Sequence, residues 1–173
     1  MRHLACSLAP VCPESTGIRN PTGGLRVEEN FEQTISLQFE LKSHDFVQAG
    51  EASSEIRRRL KKLGFASDVV RRAAIAAYEA EMNVIIHARR GRLQVEITPR
   101  QILIIAQDEG PGISNIHQAM QEGFTTAPDM IRELGFGAGM GLPNIRRFAD
   151  EFNISSCAGE GTSLKIVIYA GEG

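Results

Sequence analysis

Glu79 and Asn83 stand four apart in the run Glu79-Ala-Glu-Met-Asn83, so any helix that contains them presents both on one face. Their helical neighbours are Ile75, Ala76, Met82 and Ile86, and a carboxylate among such residues must meet something polar. A metal-bound phosphate would satisfy both groups. The Asn amide oxygen suits Mg²⁺, and the Glu carboxylate could orient or deprotonate a hydroxyl. Periodicity does not separate Glu79 from Glu81, whose neighbours Ala77, Val84 and Ile85 are equally apolar. The spacing to Asn83 is what favours Glu79. The competing reading of this element is a buried pair that caps a neighbouring loop.

Glycine marks two further places. Seven of the 17 glycines fall between Gly110 and Gly141, and glycine gathers where backbone takes positive φ or approaches a ligand closely. In Asp108-Glu-Gly110-Pro-Gly112 a carboxylate precedes two glycines. It could accept a hydrogen bond from an exocyclic amine while bare backbone admits a flat ring. Taken alone, the segment also fits an ordinary Asp-rich turn. In Gly135-Phe-Gly137-Ala-Gly139-Met-Gly141 four glycines at spacing two lead into Leu142-Pro143-Asn144, where Pro143 suits a first helical turn. Converging N–H donors and the positive end of a helix dipole make an anion cradle there. No Gly-Lys-Ser/Thr follows, which excludes a Walker loop. No strand precedes the run in a βαβ setting, which excludes a dinucleotide fold.

The elements that must position these groups can be read from periodicity. Ile35, Leu37, Phe39 and Leu41 alternate with polar residues and predict a half-buried strand. Ser43 and Asp45 are expected to cap a helix from near Phe46 to Leu63, ended by Gly64. A second helix, opened by Ser67 and Asp68, is expected from Val69 to about Ala88 and is apolar nearly all round, hence buried. Gly91 is expected to end it. Leu93, Val95 and Ile97, then a turn at Thr98-Pro99-Arg100, then Ile102–Gln107 predict a hairpin feeding an interior strand. After the glycine region come a helix from about Leu142 to Glu151 and strands Phe152–Cys157 and Thr162–Tyr169. The order predicts an α+β fold, a two-layer sandwich in which helices cover one face of a mixed sheet. Residues 1–30, broken by Pro10, Pro13 and Pro21, read as a poorly ordered tail, and residues 31–173 as one domain.

Composition narrows the class. The chain has 173 residues, 42% of them hydrophobic and 23% charged, as ordinary globular domains do. A net charge of −2 argues against a mainly electrostatic grip on nucleic acid. No apolar run approaches a membrane span. Cys6, Cys12 and Cys157 are too few and irregular for a disulfide scaffold, and none of the four His stands at zinc-ligand spacing to a Cys. Reduced thiols and no usable signal peptide make a cytoplasmic location the expectation.

Taken in order, Glu79-xxx-Asn83, Asp108-x-Gly110-x-Gly112, Gly139-Met-Gly141 and Gly161-Thr162 resemble the N, G1, G2 and G3 boxes of the GHKL, or Bergerat-fold, ATPases. The match covers about residues 34 to 169. Within that superfamily, Gln107–Ile113, Met120–Thr126 and Gly137–Phe152 are most similar to the small bacterial serine/threonine kinases that control sigma factors, the stressosome switch kinases first and the anti-sigma kinases next. The extension over residues 1–30 and the longer lid connection Ala127–Leu134 depart from that pattern. The resemblance implies ATP and Mg²⁺ as cofactors. Asp108 would read the adenine amino group, with Gly110 in the same box and Gly112 and Thr162 framing the base. Asn83 would hold Mg²⁺ against the phosphates, and Glu79 would be general base toward a Ser or Thr hydroxyl. Gly137, Gly139 and Gly141 would close as the lid. Arg132 is a solvated lid residue or a partner for the γ-phosphate, and His87 a structural histidine. The implied partners are a STAS-domain antagonist protein, with a sigma factor or a phosphatase as alternatives. The implied activity is protein serine/threonine phosphorylation in a partner-switching pathway. The alternatives are nucleotide-dependent sequestration of a sigma factor and ATP hydrolysis without a protein substrate. Monomer and homodimer are both compatible with the sequence.

Overall fold

The computed structural model describes residues 34–171, so the expected tail over residues 1–30 lies outside the described residues. Strand β1 (Ile35–Lys42) leads through turns into helix α1 (Glu51–Lys62), and helix α2 (Ser67–His87) follows it. Strands β2 (Arg90–Ile97) and β3 (Gln101–Glu109) form the expected hairpin. Its turn is closed by Thr98, whose N–H and hydroxyl both donate to the Gln101 carbonyl, at 2.9 and 3.1 Å. Two short helices, α3 (Ile116–Ala119) and α4 (Asp129–Glu133), precede helix α5 (Gly141–Phe148). A closing hairpin, β4 (Glu151–Cys157) and β5 (Gly161–Tyr169), completes the order.

The architecture is the α+β two-layer sandwich, with sheet order β1-β2-β3-β5-β4. Every neighbouring pair is antiparallel, so the sheet is not mixed as the element order suggested. The α1–α2 hairpin returns the chain to the end it left, and Lys42 pairs with Arg90. The segment carrying α5 crosses to the opposite end, which would make β4 parallel to β3 if they touched. Strand β5 inserts between them and removes the only parallel pairing.

Helix α2 lies at the centre of the helical layer. Ala73, Ala76, Ala77 and Ala80 are fully buried, and their small side chains let the helix sit close to Leu93, Ile102, Ile104 and Ile166 in one core. The helix ends at His87, before the expected stop. Gly91 belongs to β2, where a Cβ would come within 2.6 Å of the Gln107 carbonyl oxygen on β3. Helix α5 likewise ends at Phe148 rather than Glu151. Its terminal Phe148 carbonyl accepts from Arg72 Nε on α2 at 3.0 Å.

The largest departure concerns α1. It begins at Glu51 rather than near Phe46, and neither Ser43 nor Asp45 caps it. The cap comes from another helix. The Glu81 carboxylate, 1% exposed, accepts the N–H groups of Gly50 (3.0 Å), Ala52 (3.2 Å) and Ser53 (3.2 Å). A carboxylate at a helix N-terminus is favoured by both the orphan donors and the dipole. Phe46, freed from any helix, stacks on Phe136 with ring centroids 5.2 Å apart. Among the described residues no helix is long and apolar enough to cross a membrane.

Because three donors depend on one buried carboxylate, Glu81→Ala is expected to lower unfolding free energy by about 3 kcal/mol. Glu81→Gln keeps one acceptor oxygen and should lose less. Urea unfolding of the three proteins checks the order, and an unchanged midpoint for Glu81→Ala would contradict the capping role.

Candidate nucleotide site

A cavity of about 380 Å³ opens between α2, the end of β3 and the glycine-rich segment before α5. Glu79, Asn83, Asp108, Gly112, Gly137, Gly139, Gly141 and Thr162 all line it, so the structure gathers nearly all the sequence-selected residues in one place. Gly110 is buried immediately behind. A Cβ there would lie 3.0 Å from both the Ala88 Cα and Asp108 Oδ1.

Glu79 and Asn83 do share the cavity face of α2, and Glu81 points the other way, into its cap. That divides two acids the periodicity left equivalent: one serves the fold and the other faces the cavity. Asn83 Nδ2 is buried with no hydrogen-bond partner. Buried polar atoms are nearly always paired, so this donor beside the cavity is a hydrogen-bonding group that the described residues leave unmet. Beside it, α5 begins with no side chain capping its N-terminus. Gly141 is the first residue of that helix, and a Cβ on it would come within 2.9 Å of Asn83 Oδ1. Its bareness therefore serves helix packing against Asn83, whereas Gly137 and Gly139 form the flap proper, at φ of 70° and 75°. The flap folds on itself. A Cβ on Gly139 would meet Gly123 and Phe124 backbone atoms at 2.5–2.7 Å, and one on Gly137 would meet Ala127 Cβ at 2.5 Å. Phe136 anchors the flap in a small second core with Met82, Ile85, Ile86 and Ile131.

At the other end, Asp108 Oδ1 accepts the Thr162 N–H at 3.3 Å. Burial pushes the Asp108 carboxyl above its ordinary value, and the Thr162 hydrogen bond opposes that. Two glycines let this corner close. A Cβ on Gly161 would stand 2.0 Å from the Asp108 carbonyl oxygen, and one on Gly112 would stand 2.1 Å from that of Cys157. Ser156 joins the loops. Its hydroxyl accepts from the Ile113 N–H (2.8 Å), lies 2.9 Å from the Thr162 hydroxyl and donates to the Gly161 carbonyl (2.8 Å).

His87 also lines the cavity, with Nδ1 3.5 Å from Thr126 Oγ1, and burial holds its imidazole below the usual value. Arg132 is outside the lining. It is half exposed on α4 and paired with Asp129.

Two polar residues escaped the sequence reading. Asn144 donates its amide to Glu79 Oε1 at 2.7 Å. Ser156 continues the inward positions of Phe152 and Ile154 in β4, and a polar residue in an inward register was the available signal. For Asn144 the signal was its place three residues after Gly141, one turn into a helix that dislikes Asn.

An uncapped helix N-terminus, an orphan amide, a half-buried carboxylate beside bare backbone and a glycine flap fit a nucleotide with its phosphates toward Asn83. Among the described residues no cluster of three or more His, Cys, Asp or Glu could hold a metal.

The chain belongs to the histidine kinase-like ATPase domain family, which matches residues 43–168. That agrees with the GHKL resemblance of its four motifs. Within the family it is similar to the serine/threonine-protein kinase RsbT of Bacillus subtilis, 35% identical over 115 residues, which span 64% of this chain and 80% of that protein. It is also similar to anti-sigma F factors. That of Clostridium beijerinckii is 34% identical over 105 residues, 57% of this chain and 70% of the factor. That of Caldanaerobacter subterraneus is 36% identical over 101 residues, 56% of this chain and 67% of the factor.

Two outcomes are expected from this geometry. Gly161→Ala, which drives a Cβ into the Asp108 carbonyl, should weaken Mg-ATP binding at least about tenfold by calorimetry, a loss of about 1.4 kcal/mol. For His87, the folded protein favours the neutral ring, so below about pH 6.5 the unfolded chain takes up a proton that the folded one resists. Stability should therefore fall as pH is lowered from about 7 to 5. His87→Gln should flatten that slope in urea titrations, and parallel slopes would show that His87 does not contribute.

Proposed function

We propose that this chain is an ATP- and Mg²⁺-dependent protein serine/threonine kinase of a partner-switching pathway, acting in the cytoplasm on a STAS-domain antagonist protein. The observation that carries the reading is Glu79, a carboxylate on the cavity wall one helical turn from an orphaned Asn83 amide. The similarity to RsbT, a serine/threonine kinase, supports it.

In this reading Asp108 accepts the adenine amino group, and Gly110, Gly112 and Thr162 leave room for the ring. The Asn83 amide and the first N–H groups of α5 hold the phosphates. Magnesium, bound by Asn83 oxygen and the phosphates, would neutralise their charge. The acceptor hydroxyl loses its proton to the Glu79 carboxylate as its oxygen bonds to the γ-phosphorus. The bond from that phosphorus to the β–γ bridging oxygen breaks, and ADP leaves with the electron pair. Positioning and electrostatics supply most of the rate in such transfers. The flap of Gly137 and Gly139 keeps water from competing with the acceptor. Phosphorylation then adds about two negative charges to the acceptor's interface, which releases it by repulsion and desolvation.

A second reading, sequestration of a sigma factor with nucleotide setting the affinity, is favoured by the anti-sigma F relatives. A γ-³²P-ATP assay with the cognate STAS protein separates the two. Label is expected on a Ser or Thr of the acceptor. Glu79→Gln should cut the rate by about 10²–10⁴, with the Mg-ATP Kd within about twofold. No label with active acceptor present rejects the kinase. A sigma subunit retained equally by wild type and Glu79→Gln would then favour sequestration, and steady hydrolysis without acceptor would favour a plain ATPase.

A further inference from the structure

Glu79 does not hang free on the cavity wall. Two residues of α5 face Glu79 and Asn83 of α2: Gly141 lies against Asn83, and Asn144, one turn on, donates its side-chain amide to Glu79 Oε1 at 2.7 Å. The absent side chain of Gly141 is what lets α5 come close enough for that amide to reach. Helix α5 is itself firmly held. Ile145 is fully buried in the main core, and the carbonyl of Phe148 is tied to Arg72 of α2 at 3.0 Å. Asn is a poor helix former because its amide competes for backbone groups, so its presence in the middle of an eight-residue helix has a cost. The bond to Glu79 offsets it.

We propose that Asn144 is the positioning residue for Glu79, an inference that rests on reading Glu79 as the general base. With Oε1 held by the amide, the carboxylate plane is set and Oε2 is the oxygen that receives the acceptor's proton. A carboxylate with free torsions would spend much of its time aimed elsewhere, and small misplacements of a catalytic group are costly. Because α5 continues directly from the flap, the same bond links the direction of Glu79 to the segment that covers the nucleotide. The support is a packed helix rather than a loop, as a site that needs fixed geometry requires.

The test uses the full chain, its protein acceptor and Mg-ATP. Asn144→Ala should lower kcat about tenfold to a hundredfold, while KM for the acceptor and the Kd for Mg-ATP stay within about twofold. Asn144→Asp preserves size and sets one carboxylate against another, so its kcat should fall further. Placed on Glu79→Gln, Asn144→Ala should cause no additional loss, since two residues acting as one unit are not additive. Urea midpoints verify that each variant is folded. A wild-type kcat in Asn144→Ala, a fall in kcat matched by an equal loss of Mg-ATP affinity, or a full additional loss on Glu79→Gln would each overturn the positioning role. If the wild type itself transfers no phosphate, the reading of Glu79 as base fails and this inference falls with it.

Discussion

A carboxylate carried on a buried helix has to be satisfied, and α2 meets that requirement twice, in opposite directions. Glu81 is turned inward and holds three backbone N–H groups at the start of α1. Glu79 is turned outward to the cavity and is held by an amide from α5. These bonds tie α1 and α5 to α2. Helix α2 in turn packs on the sheet through alanines that leave little room for adjustment. Because the position of α2 is set by its core, the positions of Asn83 and Glu79 are set with it. The cavity inherits rigidity from the same contacts that stabilise the fold.

Close approach is the second constraint, and it explains where glycine is required. At Gly112 and Gly161 the loop after β3 and the β4–β5 turn touch backbone to backbone, and at each position a Cβ would overlap a carbonyl oxygen. Asp108 is held at that junction, with Thr162 donating to it. The flap glycines act differently. Gly137 and Gly139 take positive φ and fold the segment against Ala127 and Phe124, while Phe136 anchors it in a separate small core with Phe46. That small core, with Met82, Ile85, Ile86 and Ile131, is separate from the main one, so the glycine segment is held by fewer buried side chains than the helices and sheet.

Much of the architecture was legible because it is periodic. The alternation of Ile35, Leu37, Phe39 and Leu41, the continuous apolar face of α2 and the closing hairpin appear within a residue or two of the expected bounds. Boundaries went astray where a tertiary partner replaced a local signal. Ser43 and Asp45 are good local caps, yet the α1 donors are taken by Glu81, 28 to 31 residues away, so the helix starts later. Gly91 resembled a helix stop because it follows α2 closely in sequence, but its bareness answers the adjacent strand β3, whose Gln107 carbonyl a Cβ would strike. The sheet is antiparallel rather than mixed because β5 inserts between β3 and β4, a property of the assembled sheet that leaves no mark in the element order.

By itself the sequence determined the chemistry: an acid and an amide one helical turn apart, a carboxylate followed by glycines, and a glycine run entering a helix. Residue type and helical or strand period are local quantities, and those features need nothing else. Only the tertiary structure decided which of two equivalent acids faces the cavity, that Gly141 packs against Asn83, and that Asn144 and Ser156 bond to residues that line the cavity. Those outcomes depend on how helices and loops distant in sequence pack together. A hydrogen bond between residues 79 and 144 exists only once the sheet has brought α2 and α5 side by side.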